Sequence, residues 1–333
     1  MNLNTIRLLF FLLLSGCAEE YLSEHKSLTP TPEAESHYHV PDAPAESDEQ
    51  PLDEPTIEPP IPYPLVFLHG MAGFIELGPL EYWADIINTL NAQGHDAYPL
   101  AVEPFATMAI RAQNAAQQID EILESTGAQK VHLLGHSQGG LDGRYIISTL
   151  GYADRVASLT TIASPHQGVS TIDAALGLLP DFTEEAIAAI FDAIAETITD
   201  YDSDLLGQLE DISVAHMQNT FNPNNPDAPN VAYYSIGGRT QASPNVDTSV
   251  TDVINPLFLG TFLIGTLLEG ENDGLVSITS AQWGTYLGTA PADHLDEIGM
   301  FPATPVVAFD HLTFYSQLAD FLANQGPPPV LPQ

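Results

Sequence analysis

The sequence predicts an α/β domain, a mostly parallel sheet with helices packed on both faces. Three observations predict it. Short continuous apolar runs alternate with longer segments whose apolar residues recur every three or four positions, the patterns of a doubly buried strand and an amphipathic helix. The spacing between them suits crossover connections, which join parallel strands. The chain is also long enough, because 333 residues with 44% hydrophobic content can bury a large core.

The elements follow in order. Pro64 to His69 reads as a buried strand that ends in the turn Gly70-Met71-Ala72-Gly73. A helix is expected from about Tyr82 to Ala92 and a second strand from Ala97 to Val102. From Met108 to Ser125 a long helix places Ile119, Ile122 and Leu123 on one face, and Gly127 stops it. A strand at Lys130 to Leu134, a helix at Leu141 to Leu150 and a strand at Leu159 to Ala163 continue the alternation. Between Gly168 and Leu206 it breaks. There Asp181-Phe182-Thr183-Glu184 suits a capping box, and Ile187, Ile190, Phe191, Ile194 and Ile198 share a helical face. A last amphipathic helix spans Leu312 to Leu322. Ligands of such sheets sit beyond the carboxyl ends of the strands.

Before this domain the composition changes. Arg7 precedes the apolar run Leu8 to Leu14, followed by Ser15-Gly16-Cys17, which has the shape of an export signal and is too short to span a bilayer. The stretch resembles a bacterial lipoprotein signal. That resemblance implies a leader over residues 1–16 and a lipid anchor on Cys17, and hence an exported protein held at the outer membrane or cell surface, or otherwise secreted. Residues 17–60 are rich in Pro, Glu, Asp, Ser and Thr and read as a flexible acidic tether. The folded domain is expected over residues 61–326, with a tail at 327–333. With 44 acidic against 7 basic residues the net charge is -37, which excludes a nucleic-acid partner.

The chemistry starts at Gly135-His136-Ser137-Gln138-Gly139, a G-x-S-x-G motif set between a strand and a helix. Such a turn forces the serine into a strained backbone, and side chains two positions away on either side would collide with it. Ser137 would then present its hydroxyl at a helix N-terminus, whose positive end favours a developing anion. A serine nucleophile needs a base and an orienting carboxylate, which follow it in this arrangement. Asp273, in Glu271-Asn272-Asp273-Gly274, and the segment Asp293-His294-Leu295-Asp296-Glu297 both qualify as sources. Two histidines compete as the base, His294 and His311. Backbone N–H groups of Gln138 and Met71 are the expected oxyanion donors.

Together these segments resemble the secreted bacterial lipases of the Pseudomonas and Burkholderia type, within the α/β-hydrolases. The resemblance rests on Tyr63 to Phe74, Leu80-Glu81-Tyr82-Trp83, Gly135 to Gly140, Ala163 to Gly168, Asn272-Asp273-Gly274-Leu275-Val276 and His294-Leu295-Asp296-Glu297. It implies the α/β-hydrolase fold with a helical lid over about residues 170–206, and a triad of Ser137, Asp273 and His294. His311 then falls in a final helix without a catalytic part, and His166 in a structural loop. The resemblance also implies a structural Ca2+ that steadies the loop of the triad histidine, with Asp296 and Asp252 as ligands and Asp247 as a lesser candidate. Met300 stands where an amide ligand belongs, and thioether is a poor partner for calcium. No disulfide can form, since Cys17 is the sole cysteine.

The expected activity is hydrolysis of long-chain acylglycerols at a lipid–water interface by a triacylglycerol lipase. The apolar runs Ala174 to Leu179 and Leu257 to Leu268 are suited to wall an acyl pocket, where each buried methylene gains about 0.8 kcal/mol. A carboxylesterase acting on shorter soluble esters, an acyltransferase with the same triad, and a binding module without chemistry are the alternatives. A helper foldase is a further candidate partner.

Overall fold

The computed structural model describes residues 62–73, 76–77, 80–173, 204–242, 252–255, 258–300, 309–324 and 326–331. The expected leader, Cys17, the expected tether, residues 174–203 of the expected lid and Asp247 lie outside the described residues.

Six strands form one parallel sheet: β1 (Leu65–Leu68), β4 (Ala97–Pro99), β5 (Val131–His136), β6 (Val156–Ile162), β7 (Ala232–Gly238) and β8 (Thr285–Ala290), in the spatial order β4-β1-β5-β6-β7-β8. A separate antiparallel pair joins β2 (Glu76–Leu77) to β3 (Leu80–Glu81). The helices are α1 (Ala84–Ala92), α2 (Met108–Thr126), α3 (Gln138–Ser148), α4 (Leu205–Asp211), α5 (Leu259–Leu268) and α6 (His311–Leu322), with shorter helical turns between them.

Residue alternation explains why the central strands are apolar throughout. Leu65 and Phe67 of β1 join one buried cluster with Leu134, Ile86 and Leu90 of α1, and Phe314, Tyr315 and Leu318 of α6. Val66 and Leu68 point the other way, into a cluster with Leu133, Leu159, Ala112, Ala115 and Ile119 of α2, and Ile146 and Ile147 of α3. Both faces of the sheet are thus covered, which is the α/β-hydrolase arrangement.

Several boundaries differ from expectation. The second strand stops at Pro99, on the sheet edge where a residue without an N–H is tolerated. β5 runs on through Gly135 and His136, and α3 starts at Gln138 rather than Leu141, because the turn at Ser137 leads straight from strand to helix. β7 and β8 carry Gly, Ser and Thr among their apolar residues and gave no continuous run to read. The apolar run expected to wall an acyl pocket forms α5, where only Phe262 and Gly265 are buried. Leu263 and Leu267 are 55% and 84% exposed, so these side chains are not covered as pocket walls would be among the described residues.

Candidate active site

Ser137 joins β5 to α3 with φ 55 and ψ -129, a region that costs a non-glycine residue on the order of 1–3 kcal/mol. The surrounding backbone holds it there. Its N–H donates to Ile162 O (2.8 Å), and its carbonyl accepts the Gly140 N–H (3.1 Å). The flanking glycines are sterically required: a Cβ on Gly139 would lie 2.2 Å from Leu68 O, and one on Gly135 would lie 2.4 Å from Gly140 N. Gly70 closes the far side, since a Cβ there would come within 2.8 Å of the Ser137 Cβ.

Two loops beyond β8 and α5 bring an acid to a histidine. The buried Asp273 carboxylate accepts the N–H groups of Leu275 (2.8 Å) and Val276 (2.7 Å) through Oδ1, and its Oδ2 lies 2.8 Å from His294 Nδ1. The His294 N–H donates to Asp273 O (2.9 Å), which fixes the two loops to each other. With a carboxylate on Nδ1, the proton sits there and Nε2 is left as the acceptor. His136, next to Ser137 in the chain, packs its ring 4.6 Å from that of His294, and Phe258 meets His294 edge-on at 6.2 Å. His311 lies apart from this pair at the start of α6, packed on Gly299, and burial lowers its pKa. His166 is buried beside Thr161 (2.9 Å) and stacked on Trp283 at 5.4 Å, which is a packing position.

Gln138 is the first residue of α3, so its N–H is among those that a helix start leaves without an intrahelical acceptor. In the loop after β1 the Ala72 N–H donates to Pro104 O (3.0 Å) and the Gly73 N–H to Gly70 O (3.2 Å). Just before them the Met71 N–H has no backbone acceptor among the described residues. Met71 itself packs against the cluster of Phe105 and Leu209, as Ile172 does.

Asp252 and Asp296 come together, and Asp293, which the sequence reading did not single out as a ligand, completes a buried group whose oxygens lie within 4.8 Å of one another. Asp252 Oδ2 and Asp296 Oδ1 are buried with no hydrogen-bond partner among the described residues. Asp293 is engaged otherwise, accepting the N–H groups of Leu295 (2.9 Å), Asp296 (3.0 Å) and Asn255 (2.8 Å). Burial, then the charges of Asp293 and Asp252, push Asp296 up to about 8. Hard carboxylate oxygens with unsatisfied lone pairs suit a divalent cation such as calcium. Met300 takes no part and packs against the apolar cluster of α6. A second group of possible ligands, His136, His294 and Glu297, overlaps the Asp273 partner itself. Burial, then the neighbouring carboxylates, hold Glu297 well above the usual range.

Sequence reasoning also missed a buried cation. Arg111 shares the inward face of α2 with Met108, Ala112 and Ala115, and donates to Asp142 (2.9 Å), Glu103 O (2.7 Å) and His69 O (2.6 Å). Its signal was legible, because it is one of 7 basic residues in the chain and stands at an apolar helical position. Despite this partner, burial pushes Asp142 up to about 7.

Residues 64–221 match the family model described as palmitoyl protein thioesterase. A triacylglycerol lipase of Vibrio cholerae is 29% identical, over 79% of this chain and 88% of its own length. A Burkholderia plantarii triacylglycerol lipase is also 29% identical, over 71% of this chain and 78% of its own. Among solved structures, a Bacillus licheniformis lipase in mature form superposes with a TM-score of 0.57 at 21% identity, covering 82% of this chain and 96% of that one. A metagenomic carboxyl esterase gives a TM-score of 0.58 at 18% identity, over 81% and 78%.

Proposed function

We propose that this chain, related in sequence and fold to the broad superfamily of α/β-hydrolase lipases and esterases, hydrolyses carboxylic esters of long-chain acylglycerols through a serine acyl-enzyme. The observation that carries the reading is the strained Ser137 at the start of α3, next in chain to a histidine packed on the His294–Asp273 pair. In this reading His294 Nε2 takes the Ser137 proton as the serine oxygen adds to the ester carbonyl. The carbonyl oxygen becomes negative and accepts the Met71 and Gln138 N–H groups. Asp273 holds the imidazolium in place. His294 then protonates the leaving alcohol, water attacks the acyl-enzyme by the same steps, and a fatty acid leaves.

The exposed apolar surface of α5 supports a substrate met at a lipid–water interface, because monomers rarely expose so many neighbouring leucines without a binding role. The segment around residues 170–206 is proposed as the lid. Calcium held by Asp252 and Asp296, beside Asp293, would neutralise buried charge and tie the loop of His294, supplying structural rather than chemical help. Export through residues 1–16, anchoring at Cys17 and a tether over 17–60 complete the proposal. Among the described residues no helix is long and apolar enough to cross a membrane. The lipases of Pseudomonas and Burkholderia type are the proposed subgroup.

The thioesterase match favours a second reading, cleavage of long-chain acyl thioesters by the same residues. Rates on tributyrin, triolein, p-nitrophenyl esters of increasing length and palmitoyl-CoA separate these substrates. A Ser137→Ala protein should lose all of them, and full activity in that variant would sink the proposal.

A further inference from the structure

The oxyanion donor at Met71 belongs to the peptide unit that follows Gly70, and the unit before it is gripped at both ends. Its carbonyl, His69 O, accepts Arg111 Nη2 at 2.6 Å. Its amide, Gly70 N, donates to the Tyr82 hydroxyl at 3.1 Å. Arg111 and Tyr82 are both buried, and they approach from different parts of the chain. The next carbonyl, Gly70 O, is held in turn by His69 Nδ1 (2.9 Å) and the Gly73 N–H (3.2 Å). A carbonyl only accepts, so His69 Nδ1 carries a proton; burial, then Arg111, lower the pKa of this ring to about 3, and it serves as a neutral donor. In a trans peptide the N–H points opposite to the C=O. Fixing Gly70 O therefore fixes the direction of the Met71 N–H.

The two grips also tie that loop to the nucleophile. Arg111 reaches Asp142 on α3 (2.9 Å), the helix that Ser137 starts. Tyr82 Oη lies 2.6 Å from His136 Nδ1, on the residue just before Ser137. Each side chain thus bridges one oxyanion donor to the element that carries the serine and the other donor. We propose that Tyr82 and Arg111 are positioning residues for the oxyanion site, setting the Met71 N–H at a fixed distance and angle from Ser137 and the Gln138 N–H.

The inference rests on the serine-hydrolase reading above. The oxyanion is absent from the bound ester and forms only in the tetrahedral intermediate and the transition states that flank it, so loosening its donor lowers kcat and leaves KM almost unchanged. Removing one donor outright costs about 100-fold to 1000-fold, and misaligning one should cost roughly 10-fold to 100-fold. Tyr82→Phe keeps the ring that packs against Phe67 through Trp83 and removes only the hydroxyl. The assay measures kcat and KM on p-nitrophenyl butyrate, the inhibition constant of phenylboronic acid, whose serine adduct places an anionic oxygen in the site, and thermal unfolding. The expected result is a fall in kcat matched by an equal weakening of the boronic acid, with KM within about twofold. Arg111→Lys, which keeps a cation near Asp142 but has fewer donors, should repeat the pattern if it folds; Tyr82→Phe decides alone if it does not. Unchanged kcat, or unchanged boronic acid inhibition, in Tyr82→Phe overturns the inference. If Ser137→Ala is inactive while Tyr82→Phe is unaffected, only the positioning roles fail; if Ser137→Ala is active, the underlying reading fails.

Discussion

Replacing Asp296 by Asn should change the sign of its effect with solution conditions. In the metal-free protein, Asp296 lies with Asp252 and Asp293 in a buried group, and its pKa stands at about 8 against an ordinary 3.8. Burial is the larger cause and the two neighbouring charges come next. The folded state therefore holds a proton that the unfolded chain releases. Stability from this group is full below about pH 4 and is lost as pH rises through about 8. The distance between the two pKa values caps the loss at roughly 6 kcal/mol, and sharing of the proton with Asp252 brings the expected figure to about 2–3 kcal/mol. Asn carries no charge to repel. Asp296→Asn in EGTA should thus raise Tm at about pH 9, by roughly 5–10 °C at 2–4 °C per kcal/mol for a domain of this size, and change little at about pH 5. Calcium reverses the comparison. On the proposal that Asp296 is a calcium ligand, an ion at about 100 times its Kd would stabilise the native protein by ~2.7 kcal/mol, and the variant would lack that ligand. Differential scanning fluorimetry of both proteins, with calcium and with EGTA at the two pH values, reads all of this. Equal Tm values for the native protein with and without calcium at pH 9, together with no gain for the variant in EGTA, would refute the reasoning.

Two more substitutions probe the serine and its base. Gly139→Ala would put a methyl 2.2 Å from Leu68 O, a contact between two backbones that neither β1 nor α3 can relieve by a rotamer change. It should destabilise by about 3 kcal/mol or more, measured by urea unfolding, and a loss under 1 kcal/mol would show that the turn is looser than described. Asp273→Asn should leave the fold intact, because Oδ1 still accepts from Leu275 and Val276, but it removes the charge facing His294 Nδ1. A fall in kcat of about 10³-fold to 10⁴-fold is expected on p-nitrophenyl esters, and a fall below tenfold would point to another partner for the histidine.

The parts of the site that were legible in the sequence are those dictated by the local chain. Ser137 needs two glycines and a strand-to-helix change, and each leaves a mark within a few residues. The central strands were readable because both faces are buried, which demands unbroken apolar runs. β7 and β8 were not, because Gly237 and Gly238 make room for close neighbours and Gly288, at φ 140, takes a backbone that favours glycine, which breaks the pattern; a Cβ on Gly238 would meet Glu297 Oε1 at 1.9 Å. The choice between His294 and His311 is a tertiary matter that no local pattern carries; in space Asp273 faces the ring of His294, which supports the proposed base. Asp293 had a visible side chain and an invisible duty, since its oxygens organise three N–H groups from Asn255, Leu295 and Asp296. For α5, composition could not tell a buried wall from an exposed apolar face.

The two halves of the site balance their buried charge in different ways. On the nucleophile side the acid Asp142 faces a fully buried Arg111, so its compensation is internal and independent of the medium. On the His294 side Asp252, Asp293, Asp296 and Glu297 are all buried, burial raises the pKa of each, and neighbouring carboxylates raise those of Asp293, Asp296 and Glu297 further. Backbone N–H groups serve Asp293, and bound protons or the proposed divalent cation would supply further compensation. A chain with 44 acids and 7 basic residues has few cations to place in its interior, and Arg111 and Arg144 are already buried elsewhere. The geometry of Ser137 should therefore persist across pH and calcium, whereas the loop that carries His294 should respond to pH and, if the proposed site binds calcium, to calcium. Conditions that inactivate the protein gently should act on the base before they disturb the serine.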